Sequence, residues 1–251
     1  MLQLDFIGTI KEKKAPIQFD LWTDNKPTKI KAEIDYDKVE SFFNSISSKE
    51  IEDQKTYWAS VAPKDCSEKF QRWLFAFMSV HTSFASNVNG YQAIKNWPEW
   101  FNKPEKLKEK LVESRVGLHN NRTRFVDTFS KTYWEAPQAF EKRGGESWTQ
   151  FRNRLVEKVL GLGMAKVSFG LEMCHPNQAE VTCMDTHLFQ FYGLDQSRDS
   201  SRYEEIERHW IEMCKMWNVP SYIARCVYWD NLQGHTDSRY WSYCLENKVQ
   251  P

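Results

Sequence analysis

Apolar and polar residues alternate along the first forty positions and then settle into a longer period. In "PIQFDLW" Ile17, Phe19 and Leu21 fall on one side, and in "KIKAEIDY" Ile30, Ala32, Ile34 and Tyr36 do the same, with "TDNKPT" between them. A period of two on either side of an Asp-Asn and a proline predicts a β-hairpin, placed as an extension over residues 1–40. From about residue 37 the apolar positions recur at helical spacing. The stretches "DKVESFFNSI", "EKFQRWLFAFMSVHTSF", "EKLKEKLVESR", "NNRTRFVDTFSKTYW", "WTQFRNRLVEKVL", "AKVSFGLEMC", "DTHLFQFYG", "YEEIERHWIEMCKMW" and "PSYIARCVYWDNL" each read as an amphipathic helix. Residues 41–251 are therefore expected to form one mainly α body, with no repeat, low-complexity tract or long linker.

Two of these helices meet at Gly161-Leu162-Gly163. Phe151, Leu155, Val159 and Leu160 form the stripe before the turn, and Val167, Phe169, Leu171 and Met173 the stripe after it. The chain must reverse within a few residues, which calls for a left-handed backbone at a glycine, while Leu162 plugs back between the helices. Such a hairpin over about 151–174 leaves the first amides of its second helix pointing outward, an anion site suited to one phosphate. A plain helix–helix turn without ligand explains the same residues. Further on, Asp185 in "VTCMDTH" immediately precedes the apolar run "THLFQFY", where an aspartate commonly caps a helix.

Charge narrows the partners. Lys+Arg and Asp+Glu each total 34, so the chain carries no net charge, and a nucleic-acid role needs a local basic patch. Arg122 and Arg124 in "NNRTRF", with Lys158 near the hairpin, could supply one; an exposed helix face is the plainer reading. Six cysteines occur without a C-x-x-C pair. Cys174 and Cys183 bracket one loop, but free thiols in an intracellular chain are the expectation. Neither a signal sequence nor a run of apolar residues long enough to span a membrane appears, so a cytoplasmic or nuclear monomer is expected.

"VLGLGMAKVSFGLEM" followed by "VTCMDTH" resembles the helix-hairpin-helix DNA glycosylases, the superfamily that includes endonuclease III. "FAFMSVHTSFASNVNGYQAI" (75–94) resembles that family's Leu-Leu-Ser-Ala-Gln-x-Thr-Asp helix, and "VGLHNNRTRFV" (116–126) its Ile-Gly-Leu-Tyr-Asn-x-Lys-Ala segment. The motifs fall in the family's order over roughly residues 70–193. The resemblance implies a two-lobed helical fold with a DNA-facing cleft, the 1–40 hairpin being a decoration it does not account for. It also implies double-stranded DNA carrying a damaged or modified base as partner. The cysteines that ligate an iron–sulfur cluster in endonuclease III-like members have no counterpart in the widely spaced Cys214, Cys226 and Cys244, so no cluster is expected. A monovalent cation at the hairpin would be the one cofactor.

By the same resemblance Asp185 is the carboxylate that stabilises the oxocarbenium-like sugar as the base leaves, or activates water. Gly161, Leu162 and Gly163 grip a phosphate. His81 stands where many members have the glutamine that fills the gap left by a flipped base, and Leu118 where they have a wedge. His187 makes a structural hydrogen bond or touches phosphate. The position of the Schiff-base lysine stays open: gap-free alignment on the glycines places Ala165 there and implies a monofunctional enzyme, whereas counting nineteen residues back from Asp185 reaches Lys166 and implies a lyase. Trp73, Phe77, Phe84, Trp134 and Tyr192 are candidates to line a base pocket. Two other functions fit the scaffold: a phage-type enzyme that transfers an amine or amino acid to an activated thymine derivative, and a DNA-binding module without chemistry.

Overall fold

The computed structural model describes residues 32–232 together with Arg239, Trp241 and Cys244. From Ala32 onward the chain forms one compact unit. Its helices are α1 (Tyr36–Ser45), α2 (Ser48–Ser60), α3 (Cys66–Met78), α4 (Phe84–Ile94), α5 (Pro104–Glu113), α6 (His119–Glu135), α7 (Trp148–Lys158), α8 (Met164–Cys174), α9 (Thr186–Phe191), α10 (Gln196–Asp199), α11 (Tyr203–Met216) and α12 (Ser221–Leu232). No strand occurs among the described residues.

Most of the expected β-hairpin lies outside the described residues, and its end is not a strand. The Asp35 carboxylate accepts from the Lys38 amide at 3.0 Å, so Tyr36 opens α1 instead of closing a strand. Ile34 and Tyr36 fit either period; Val39, Phe42 and Phe43, buried on the far side of that cap, decide for the helix. The stretch expected as one helix through residue 84 divides into α3 and α4. Ser79 Oγ and Thr82 Oγ1 turn back onto the carbonyls of Ala76 and Met78, His81 adopts a left-handed φ of 51°, and Ser83 caps α4. Helix α2 has no strong apolar stripe, with only Gln54 and Trp58 buried, which is why periodicity did not announce it.

Two groups of helices meet on α8. In one, α3 packs on α4 and α6, α5 on α4 and α6, and α8 on α3. Gly170 permits the α3–α8 approach: a Cβ there would sit 2.4 Å from the Trp73 ring. In the other, α12 packs on α2, α11 and α8. Phe42 of α1 stacks on Trp210 at 6.1 Å and meets Phe191 and Tyr228 edge-on. The mainly helical body agrees with the expected fold class, with the α7–α8 hairpin joining the two groups. Three residues expected near a base pocket belong to the core instead: Trp73, Phe77 and Tyr192 are buried within 2% of complete. Trp134 stacks on Trp97 at 4.5 Å, while Phe84 stays partly exposed.

Candidate active site at the end of the hairpin

Gly161 turns the hairpin with φ of 91°, and a Cβ on it would collide with the Phe125 ring of α6 at 2.4 Å. Leu162 is buried between the helices. Gly163 is the N-cap of α8 and brings no side chain to it; space beyond its Cα is open, with no atom within 4 Å of an added Cβ. The hairpin therefore presents an uncapped helix start to solvent, as an anion site requires.

Asp185 caps α9, its Oδ1 accepting from the amides of His187 at 3.0 Å and Leu188 at 3.2 Å. The chain before it is extended and fastened from inside by buried side chains. Glu207 of α11 accepts from the Thr182 amide at 2.9 Å, and Glu172 of α8 from the Cys183 amide at 3.3 Å. The Tyr203 hydroxyl donates to the Thr182 carbonyl at 2.6 Å and accepts from the Met184 amide at 3.3 Å. Unpaired backbone groups would be costly at this depth, and the arrangement leaves none of these amides orphaned. It also fixes where Asp185 emerges.

The two acids are held by buried arginines. Arg152 of α7 pairs with Glu207 at 3.0 Å. Arg225 of α12 grips Glu172 with the Nε–Nη2 edge of its fork, at 3.1 and 2.8 Å, and turns its remaining nitrogen, Nη1, toward Asp185 Oδ2 at 4.0 Å. Burial pushes the Glu172 carboxyl up to about 7 even though Arg225 opposes the shift. Burial works against the charge of Arg225 too, but Glu172 beside it more than offsets this and holds it well above the ordinary arginine value. Burial lifts Tyr228 to about 12, and the Asp185 charge adds to the shift. None of these four core ions or Tyr203 was singled out from the sequence. A lone charge in an apolar run, as in "VSFGLEMC" and "SYIARCVYW", was the available signal.

Lys166 stands on the first turn of α8, half-buried, with Nζ 5.7 Å from the centre of the Phe169 ring. Arg225 lies 5.2 Å from the same ring, and Lys166 and Asp185 both act electrostatically on the buried Cys183. Ala165 packs against the core. His187 is half-buried, 4.8 Å from the Trp229 ring, and its carbonyl accepts from Tyr228.

His81 and Leu118 are both exposed, and both hold left-handed backbones, with φ of 51° and 48°. One residue ties their loops together. Arg122, expected on an exposed basic patch, is buried, because it donates to the carbonyls of Gly117 at 3.0 Å, Phe77 at 2.5 Å and Val80 at 2.6 Å. Arg124, two residues on and so on the opposite face of α6, is exposed and lies 4.8 Å from the Phe125 ring that abuts Gly161. Lys158 is exposed at the end of α7.

None of the six cysteines forms a disulfide, Cys174 and Cys183 included. Among the described residues no cluster of His, Cys, Asp and Glu could hold a metal ion, and no helix is long and apolar enough to cross a membrane. A surface cleft of about 660 Å³ between α2, residues 177–180 and the start of α12 contains none of the site residues. The Lys215–Glu180 ion pair lies among its lining residues.

The same fold is seen in solved 8-oxoguanine DNA glycosylases. The chain is similar to the crystal structure of the 8-oxoguanine DNA glycosylase of Methanocaldococcus jannaschii, at 18% identity and a TM-score of 0.62 over 80% of this chain and 94% of that one. It is likewise similar to the 8-oxoguanine DNA glycosylase of Thermotoga maritima, at 14% identity and a TM-score of 0.64 over 81% and 100%. The Methanocaldococcus jannaschii 8-oxoguanine glycosylase/lyase in complex with a 15mer DNA containing 8-oxoguanine matches at 17% identity and a TM-score of 0.63 over 81% and 99%. No protein-family model and no curated protein sequence matches the chain.

Proposed function

We propose that this protein is a DNA glycosylase that flips a damaged or modified base out of the duplex, cleaves its N-glycosidic bond and then nicks the strand as a lyase. What supports this most directly is that Lys166 lies by the Phe169 ring that also flanks Arg225, that Arg225 faces Asp185, and that Lys166 and Asp185 both act electrostatically on the buried Cys183. The structural neighbours are named as excision enzymes, which favours excision over base modification or a binding-only module. Lys166 takes the role of nucleophile, and Ala165 a packing role.

In this reading the Lys166 amine attacks the anomeric carbon as the glycosidic bond breaks, and the departing base takes up a proton. Asp185 stabilises the positive charge that builds on the sugar. Ring opening, with a proton passing from the lysine nitrogen to O4′, leaves an iminium between lysine and sugar; loss of a C2′ proton to water then forms a C2′=C3′ double bond and expels the 3′ phosphate, which breaks the strand. His81 and Leu118 enter the duplex where the base has left, Gly163 and the start of α8 receive a phosphate, and Arg124 with Lys158 adds positive charge beside them.

Single-turnover assays on duplexes carrying one modified base, starting with 8-oxoguanine, test the reading. Borohydride is expected to trap a covalent protein–DNA complex that Lys166→Ala abolishes; base release without trapping would leave a monofunctional enzyme. The hairpin glycines make a second test. Gly161→Ala, with its strained φ and ring clash, is expected to lower stability by about 1–3 kcal/mol in urea denaturation. Gly163→Ala should change stability by less than about 0.5 kcal/mol, because its Cβ meets no protein atom, yet weaken DNA binding measured by anisotropy.

A further inference from the structure

Asp185 does not meet the solvent alone. Its Oδ1 is occupied by two amides, and its Oδ2 faces Arg225, whose other edge is locked to the fully buried Glu172. Rings of Phe169 and Tyr222, each 5.2 Å from the guanidinium, wall that group in. An arginine beside an acid that must face a cationic sugar is a contradiction unless its own charge is cancelled.

We infer that Arg225 and Glu172 are positioning residues for Asp185: the guanidinium aims the free carboxylate oxygen, and Glu172 neutralises the guanidinium so that the three groups together present one net negative charge. This rests on the reading of Asp185 as the group that stabilises the sugar. With Glu172 ionised the charges sum to minus one; with Glu172 protonated they sum to zero, and Asp185 is left answering to Arg225 alone. Glu172 has the raised carboxyl described above, so the change falls in the neutral range.

Few other groups can produce that change. Facing Glu172 are Arg225 from α12, Cys183 and Asp185 from the extended segment and α9, and Cys214 from α11. Both thiols are pushed far up by burial, Cys183 to about 12. From α3, Arg72 and Lys69 act on Cys174, and from α7, Arg152 is taken by Glu207. On its own helix Lys166 acts on Cys183.

The test compares single-turnover base release by the wild-type protein and by Glu172→Gln from pH 5.5 to 8.5. The ratio of the wild-type to the Glu172→Gln rate should rise roughly tenfold across the neutral range, because the pH dependence of the lysine nucleophile is common to both proteins and cancels. A ratio that stays constant across that range would overturn the inference. Glu172→Gln leaves Arg225 buried without its counter-ion and could fail to fold. Carboxyl-carbon NMR of the wild-type protein therefore provides an independent measurement, with the Asp185 signal identified by its loss in Asp185→Asn. That signal should shift together with the titration of Glu172; no shared step, or Glu172 titrating below pH 5, would refute the coupling. If instead Asp185→Asn excises normally while the NMR step is present, the functional reading of Asp185 fails and the charge coupling stands.

Discussion

Asp185→Asn is expected to slow base release about 100- to 1,000-fold in single-turnover assays while stability in urea changes by less than about 0.5 kcal/mol. The asymmetry follows from how the two carboxylate oxygens are used. Oδ1 caps α9, and an asparagine carbonyl can accept the same two amides. The charge is shared by both oxygens, with Oδ2 turned toward Arg225; the substitution removes that charge and keeps the capping acceptor. A variant with wild-type excision would reduce Asp185 to a helix cap; one that unfolds would show that the charge is needed to hold Arg225. Affinity for undamaged duplex should barely move, because the charge is called upon only once a sugar turns cationic.

Arg122→Met should be the most damaging single change outside the chemistry, lowering stability by about 3 kcal/mol and DNA affinity at least tenfold. The guanidinium donates to three carbonyls on two loops and the end of α3, and methionine leaves all three without that donor. Arg122→Lys keeps the charge, but an ammonium cannot span the three acceptors, so only part of the loss should be recovered. Arg124→Ala offers the contrast. Its side chain is exposed, so stability should hold while DNA affinity drops, with the salt dependence of binding less steep by about one unit. Urea denaturation and anisotropy titrations at several salt concentrations separate the two arginines.

The pair also shows what a sequence can and cannot disclose. "NNRTRF" reads as a basic patch, yet two steps along a helix turn a side chain through about 200°, so one arginine faces the core and the other the solvent. The hairpin, the helices around it and the position of Asp185 were legible because each is a local pattern: a glycine turn between two stripes, or a cap before an apolar run. Glu172 and Arg225 are 53 residues apart and Arg152 and Glu207 are 55 apart, so nothing local marks them as partners. The same limit misplaced Trp73, Phe77 and Tyr192, since an aromatic ring suits a core and a base pocket equally well from composition alone. Ile34 and Tyr36 misled in the opposite sense: two alternating positions are too few to tell a strand from the approach to a helix.

His81 and Leu118 keep backbones that glycine would adopt more readily, at an expense of about 1–2 kcal/mol each. Glycine at both positions should therefore yield a protein that resists heat better and, under the role proposed for these side chains, can no longer fill an opened duplex. Under that proposed role, selection for thermal endurance and selection for activity would pull on the same two residues in opposite directions. A library sorted only for melting temperature would be expected to erase the enzyme at these sites first.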